Sequence, residues 1–462
     1  MRLTKWALVT AIGAVLTPGL AMAQVSPYGM RQPSSVQQTA YEYRDYYSQD
    51  PALREMEGGG HVPTPAENQA AMAAGGGPYT GDTGVSEEVD DQWRLFDFPW
   101  LTARNIEVSG WVAQSPFTWN PDNPNDRTNG PVTWTDRSND YQLNQLYWYA
   151  ERATDTGGYG FDLGGRIDLL YGTDARFSKA IGLEDNWNGD TWIQLCMPQL
   201  YLEPAFGDWK VKLGHFYSPV GYEVVPTVSN FFNSLPYTFQ YGEPFTHTGM
   251  LAEYGGFENL SISSGFIRGW DAWGGSNAPP NLGYLGTAAY TTEGGSSLAL
   301  VIIESQEPTQ AGEYRHRHLQ TLVLSVPLSD AWTYVAQSDY GFQNDAQING
   351  KDARWYGLNQ YLFYQTSDTW TWGVRAEWFR DDGGYRVQSF STPGWSGAPG
   401  FNGSFYEITF GGNWKPNANF VARPSIRWDW YSGSPNNDGQ LPFDDGTDSN
   451  QVLIGGDIIL LY

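Results

Sequence analysis

The sequence predicts an all-β protein, a transmembrane antiparallel up-and-down β-barrel of about sixteen strands. Three observations predict it. Strand-length runs of alternating polarity recur from about residue 106 to the end, short and long connections alternate between them, and no later segment is apolar for long enough to cross a bilayer as a helix. A barrel strand needs an apolar residue only at every second position, so a mean hydropathy of -0.47 is compatible with it. Aromatic residues make up 16% of the chain, with 21 Trp and 29 Tyr, and such rings favour strands and the two edges of a bilayer.

The strand-like runs begin near Ile106, Tyr141, Gly160, Trp192, Trp209, Thr246, Asn259, Leu282, Ser297, His316, Trp332, Arg354, Thr369, Phe405, Phe420 and Gln451. Their connections sort into two kinds. "ATDTGG", "EPAFGD", "GGFE", "TTEGG", "LSDA", "TSDT" and "KPNAN" are short, while "SPFTWNPDNPNDRTNGPVTWTDRSND", "SGSPNNDGQLPFDDGTDS" and the segment from Asp381 to Ser404 are long. Short turns on one side and long loops on the other are the mark of an outer-membrane barrel, and a β-sandwich has no reason to sort its loops this way.

Ahead of the strands, "MRLTKWALVTAIGAVLTPGLAMAQ" has the parts of a secretory signal peptide: Arg2 and Lys5, a short apolar core, and Ala21-Met22-Ala23 before the cut. Residues 1–23 are therefore expected to be removed. Residues 24–94, rich in Gly, Ala, Gln and Pro, read as a disordered periplasmic linker, and residues 95–462 as the barrel, entered through "LFDFPW". The formal net charge of -25 argues against nucleic acid and against anionic membrane surfaces as electrostatic partners. Cys196 is the single cysteine, so neither an intramolecular disulfide nor a cysteine metal site is available.

Individual strands separate two faces. In "WTWGVRAEWF", Trp370, Trp372, Val374, Ala376 and Trp378 oppose Thr371, Arg375 and Glu377; in "FVARPSIRWDWY", Phe420, Ile426, Trp428 and Trp430 oppose Arg423, Arg427 and Asp429. Pro424 removes a ladder hydrogen bond and is expected to mark a bulge. Phe161, Leu163, Ile167, Leu169 and Tyr171 alternate with Asp162, Arg166 and Asp168, and Trp209, Val211 and Leu213 with Lys210 and Lys212. The facing of "LCMPQLYLE" stays open. Trp370, Trp372, Trp378, Trp428 and Trp430 lie near the ends of their apolar faces and are candidates for a membrane girdle; ordinary core is the other reading. The last run, "QVLIGGDIILLY", puts Val452, Ile454, Ile458, Leu460 and Tyr462 opposite Asp457 and reads as the closing strand, with Tyr462 a girdle residue.

The segments "RIDLLYGTDARF", "GHFYSPVGYEVVPTVSNFF" and "YGEPFTHTGMLAEY", with "LNQLYWYAERA" from Leu143 to Ala153, resemble the β-barrel porin-2 family, also called OmpL-like. The resemblance covers most of the chain beyond about residue 100 and implies an outer-membrane barrel of porin type, with no catalytic residue set.

A pore is governed by its narrowest part. The link after the fifth strand, from about Tyr217 to Pro244, is more aromatic than a solvated loop should be, and its position matches the inward-folded constriction loop of general trimeric porins, an analogy of architecture. Glu223 and Glu243 flank it, as constriction carboxylates or as solvated loop acids. Arg375, Arg423 and Arg427 have lumen-facing parity, Arg423 and Arg427 about 13 Å apart along one face. They form a basic patch facing the acidic loop, or pair locally with Glu377, Glu407 and Asp429. Arg166, Asp168, Lys210 and Lys212 complete the candidate pore lining.

"HRH" places His316 and His318 on one strand face without a carboxylate to complete a metal set, and "DDGTDSN" lacks the ordered calcium-loop pattern. No nucleophile-elbow motif points to a hydrolase. The sequence thus predicts a porin, a passive diffusion channel for small hydrophilic solutes or ions, without enzyme activity, cofactor or metal. Expected partners are outer-membrane lipids, the barrel-assembly machinery through the C-terminal strand, the solutes themselves, and further copies in a homo-oligomer. A plugged structural or adhesive barrel shares every feature but a permeable lumen. A soluble polysaccharide-binding β-protein is disfavoured by the loop alternation and the apolar terminus.

Overall fold

A sheet of alternating polarity with no open edge has one solution, a ring in which every backbone donor and acceptor meets a neighbour. The computed structural model describes residues 93–157, 159–189, 191–275, 279–347, 349–387 and 400–462; the expected signal peptide and nearly all of the expected linker lie outside them. Sixteen strands form the ring: β1 (Glu107–Trp119), β2 (Gln142–Arg152), β3 (Phe161–Gly172), β4 (Gln194–Phe206), β5 (Trp209–Tyr217), β6 (Thr246–Tyr254), β7 (Leu260–Ile267), β8 (Gly283–Thr291), β9 (Ser297–Pro308), β10 (Tyr314–Pro327), β11 (Trp332–Gln343), β12 (Ala353–Ser367), β13 (Trp370–Asp382), β14 (Gly403–Asn417), β15 (Phe420–Gly433) and β16 (Asn450–Leu461). Two four-residue helical turns, α1 (Pro99–Thr102) and α2 (Ala175–Ser178), are not strands of the ring: α1 precedes β1 and α2 belongs to the loop after β3. Each strand pairs antiparallel with the next, and β1 closes on β16 with Trp111 opposite Leu461 and Trp119 opposite Ile454.

The expected starts hold closely: the largest differences are at β4, β10 and β14, which begin at Gln194, Tyr314 and Gly403 against expected Trp192, His316 and Phe405. Turns at 207–208, 368–369 and 418–419 are minimal, and 153–160, 255–259, 292–296 and 328–331 are short. The opposite rim carries 120–141, 173–193, 218–245, 268–282, 383–402 and 434–449, although 309–313 and 344–352 on that rim are short as well.

Pro424 is not at a bulge. It stays in register opposite Gly456, the ladder to β14 lapses beside it at Gly412 and Asn413, and the register shifts later, between Trp414 and Asn417. A missing donor interrupts a ladder without needing an inserted residue. In "LCMPQLYLE" the open facing resolves into an irregularity between Asp168 and Leu170 of β3, opposite Cys196–Gln199, after which Leu200 and Leu202 face out while Tyr201 and Glu203 face in.

The outer wall is apolar between two bands of rings. On the short-turn side lie Trp209, Trp332 stacked on Tyr364 at 4.3 Å, and Trp370 stacked on Trp372 at 5.2 Å and on Trp414 at 6.0 Å. On the long-loop side lie Trp378, Trp428 with Trp430 at 4.7 Å, and Tyr406 on Trp430 at 5.2 Å. Leu322, Leu362, Val374, Phe410, Ile426 and Leu460 are exposed on the same wall.

Candidate channel constriction

The segment between β5 and β6 folds into the ring, and residues 216–247 are all buried. Its aromatic content explains this: Phe231, Phe232, Tyr237, Phe239 and Tyr241 cannot be left in water, and the lumen offers them a wall. The wall is shaped to receive them. On β12, β13 and β14 the inward positions Gly357, Gly373 and Gly411 leave a trough, in which a side chain at Gly357 would lie 2.5 Å from Thr238 Oγ1, one at Gly373 2.5 Å from the Phe231 ring, and one at Gly411 3.3 Å from the Phe232 ring. A glycine inside a strand marks such a close approach.

Charged wall residues then grip the loop backbone. Arg375 donates to the Ser234 carbonyl at 2.8 Å, Arg423 to the Thr227 carbonyl at 2.7 Å and Arg427 to the Leu235 carbonyl at 2.6 Å. Each is also ion-paired: Arg375 with Glu223 at 3.1 Å and with Glu407, Arg423 with Asp457, Arg427 with Asp429 at 2.7 Å. Glu377 accepts from the backbone N–H groups of Tyr237 at 2.8 Å and Thr238 at 2.6 Å, and Asp429 from the Tyr237 hydroxyl at 2.7 Å. From the other side Gln145 of β2 donates to the Val225 carbonyl at 2.8 Å. Inside a water-excluding seam, charge-assisted bonds of this kind hold strongly, because letting go strands a buried charge.

This geometry changes the role expected of the basic patch. Arg375, Arg423 and Arg427 face inward as their parity implies, yet they are only 0–2% exposed and lie behind the loop, with Glu223 bonded to Arg375 rather than facing it across water. Glu243 lies at the loop's far end, where Gln337 of β11 donates to both Glu243 and Asp339; burial first, and then the Asp339 charge, push its carboxyl well above the usual range. Gly221, at φ +84°, has to be bare because the Glu243 carboxylate sits 2.4 Å from where a side chain would start.

The opposite wall carries charged and polar side chains of its own. Glu151, Glu203, Lys212 and Glu253 retain 6–7% exposure and Thr287 8%. Arg166 joins Glu151 at 2.8 Å and Asp168 at 2.6 Å on that side, and Lys210 lies in register with Glu253. Arg166, Asp168, Lys210 and Lys212 face inward as their alternation implies; sequence reasoning did not single out Glu253, which alternation in β6 marks as inward, nor Glu203, whose facing the irregular β3–β4 register hid. The other long loops close over the constriction. Trp134 stacks on Phe177 at 5.2 Å and meets Phe239 and Phe245 edge-on, Tyr241 donates to the Pro131 carbonyl at 2.7 Å, and Arg386 donates to the Tyr241 carbonyl.

Two further motifs are placed. His316 and His318 do share the outer face of β10, but a carboxylate accompanies them: Glu304 of β9 lies 2.7 Å from each ring, a neighbour that only strand register reveals. Among the described residues no group of three or more His, Cys, Asp or Glu is arranged to hold a metal ion. In "DDGTDSN", Asp445 accepts from the Asn125 backbone and side chain, each at 2.8 Å, tying two long loops together.

Residues 105–462 match the family model described as "Putative beta-barrel porin-2, OmpL-like". The chain belongs to this family. None of the curated proteins compared with this porin-2 chain matches it in sequence. Among solved structures it is similar to the anion-selective porin from Comamonas acidovorans, with a TM-score of 0.52 at 10% identity over 77% of this chain and 99% of that one. It is similar also to the outer-membrane channel DcaP of Acinetobacter baumannii, at 0.51, 10%, 77% and 97%, and to OprB of Pseudomonas putida, at 0.50, 10%, 79% and 96%. At such identities the likeness is one of fold: a closed antiparallel barrel of porin type.

Proposed function

We propose that this porin-2 chain is an outer-membrane diffusion channel for small hydrophilic solutes or ions, and that solutes pass along the β2–β8 wall while the inward loop fills the β11–β16 side. The observation that carries this reading is the asymmetric lumen: one wall sealed by a gripped loop, the other lined by Glu151, Arg166, Glu203, Lys212, Glu253 and Thr287. Polar and charged walls at close quarters set ion preference without any cofactor. Arg375, Glu377, Arg423, Arg427 and Asp429, with Glu223, fix the bore rather than line it. Trp370, Trp372, Trp378, Trp428, Trp430 and Tyr462 belong to interfacial bands of a bilayer. Export through a cleaved signal peptide, assembly through β16 and a homo-oligomeric state belong to the same reading.

Planar-bilayer recording of the refolded protein tests it. Stable conductance steps, with ion selectivity that moves toward anions in Glu203→Gln/Glu253→Gln, are the expected result. A folded, inserted barrel without steps overturns it in favour of a plugged barrel, a rival supported by the other long loops that close over the constriction.

A further inference from the structure

The residues just ahead of β1 expose more apolar surface than a segment in water should. Trp93 is 60% exposed, Leu95 49%, Phe98 45% and Trp100 58%, although water favours covering such side chains. The segment is nevertheless held in place. Asn419, in the β14–β15 turn, accepts from the Trp93 N–H at 2.9 Å and donates to the Trp93 carbonyl at 2.7 Å and the Leu461 carbonyl at 2.9 Å. The Phe96 ring meets Tyr462 edge-on at 6.1 Å, and the turn α1 buries Leu101 and returns the chain to β1 through the Ile106 N–H and the Leu101 carbonyl.

These contacts fix where the segment lies. Tyr462 continues the outward face of β16, after Val452, Ile454, Ile458 and Leu460, and its hydroxyl stands 2.9 Å from where a side chain at Gly110 would start. Phe96 therefore packs on the outside of the wall, and the segment lies beside the mouth. The same rim carries Trp209, Trp332, Trp370, Trp414 and Phe420. Aromatic rings at a barrel rim, flanked here by Arg94 and Arg104, suit the head-group layer, where an apolar body and a polar tip are both satisfied.

We infer that residues 93–101 form an aromatic anchor that inserts into the lipid head-group layer at the short-turn rim, beside the channel mouth. The inference rests on the membrane-spanning reading of the barrel. The test is a nitroxide at Trp100→Cys, with Phe98→Cys as a second position, in full-length protein refolded into phosphatidylcholine/phosphatidylglycerol vesicles; buried Cys196 leaves the new thiol to be labelled. Collisions with oxygen and with a water-soluble nickel complex are compared with those at Leu362→Cys, mid-wall and outward, and at Asn437→Cys on an exposed loop. The expected result is oxygen access several-fold above the Asn437 control with nickel access several-fold below it. Nickel access equal to the Asn437 control, or shielding from both reagents as in a protein contact, overturns the anchor while the Leu362 label still reports lipid. A Leu362 label open to nickel would instead overturn the membrane reading itself.

Discussion

Arg423 and Arg427 each bridge a wall carboxylate and a loop carbonyl, so replacing them does more than remove charge. Arg423→Ala leaves Asp457 buried without its ion-pair partner, and Arg427→Ala leaves the Asp429 charge buried with only the neutral donors Tyr237 and Gln451, a loss of about 3–5 kcal/mol each. The double variant is expected to loosen the loop, giving larger and noisier conductance steps and reaction of a cysteine placed at Ser234; unchanged steps with an unreactive cysteine would show that the grip is dispensable. Glu223 adds a pH dependence. Burial, offset in part by Arg375, pushes its carboxyl up to about 6 from an ordinary 4.5, and Oε2 meets no partner. Because the docked loop favours the neutral acid, Glu223's contribution to docking is fully present below pH 4.5 and is lost as the pH rises through about 6, a difference of about 2 kcal/mol. Amide-exchange protection across 222–235 should fall over that window in the parent and stay flat in Glu223→Gln.

At the scale of elements, the inward loop depends on strands far from it in sequence. Gly373→Val fills the trough where Phe231 rests, while the outward neighbours Trp372 and Val374 stay as they are. Overpacking of this kind costs about 1–3 kcal/mol, and here the loop can yield more easily than the strand. The expected outcome is an intact, heat-resistant barrel with altered conductance; an unfolded barrel would show that the strand, not the loop, bears the strain. Strands were legible in the sequence because a two-residue period survives any tertiary context, which is why Trp209, Thr246, Ser297, Trp332 and Phe420 open strands where alternation begins. The loop's inward turn was legible too, from its unsolvated rings. What Arg375, Arg423 and Arg427 do was not: parity aims a side chain but does not say what stands in front of it, and the partners Thr227, Ser234 and Leu235 lie more than a hundred residues away. Pro424 misled for a related reason, since a lost donor and an inserted residue leave the same mark in a sequence.

For the molecule as a whole, the ring is only as closed as its seam. Tyr462 exchanges backbone hydrogen bonds with Gly110 at 2.9 and 3.1 Å, and Asp457 on the same strand neutralises Arg423. Deleting Gln451–Tyr462 would leave β1 and β15 as two bare edges, and the expected outcome is loss of the heat-modifiable, detergent-resistant species on gels; its retention would mean that β15 can close on β1 unaided. Shell and bore are otherwise under separate control. The outward-facing rings and the hydrogen-bonded ladder make up the shell, whereas the bare positions at Gly357, Gly373 and Gly411 shape the space inside. Substitutions there reshape the bore while the outward face keeps its residues, so a lineage of such proteins could shift its diet without rewriting its outer surface.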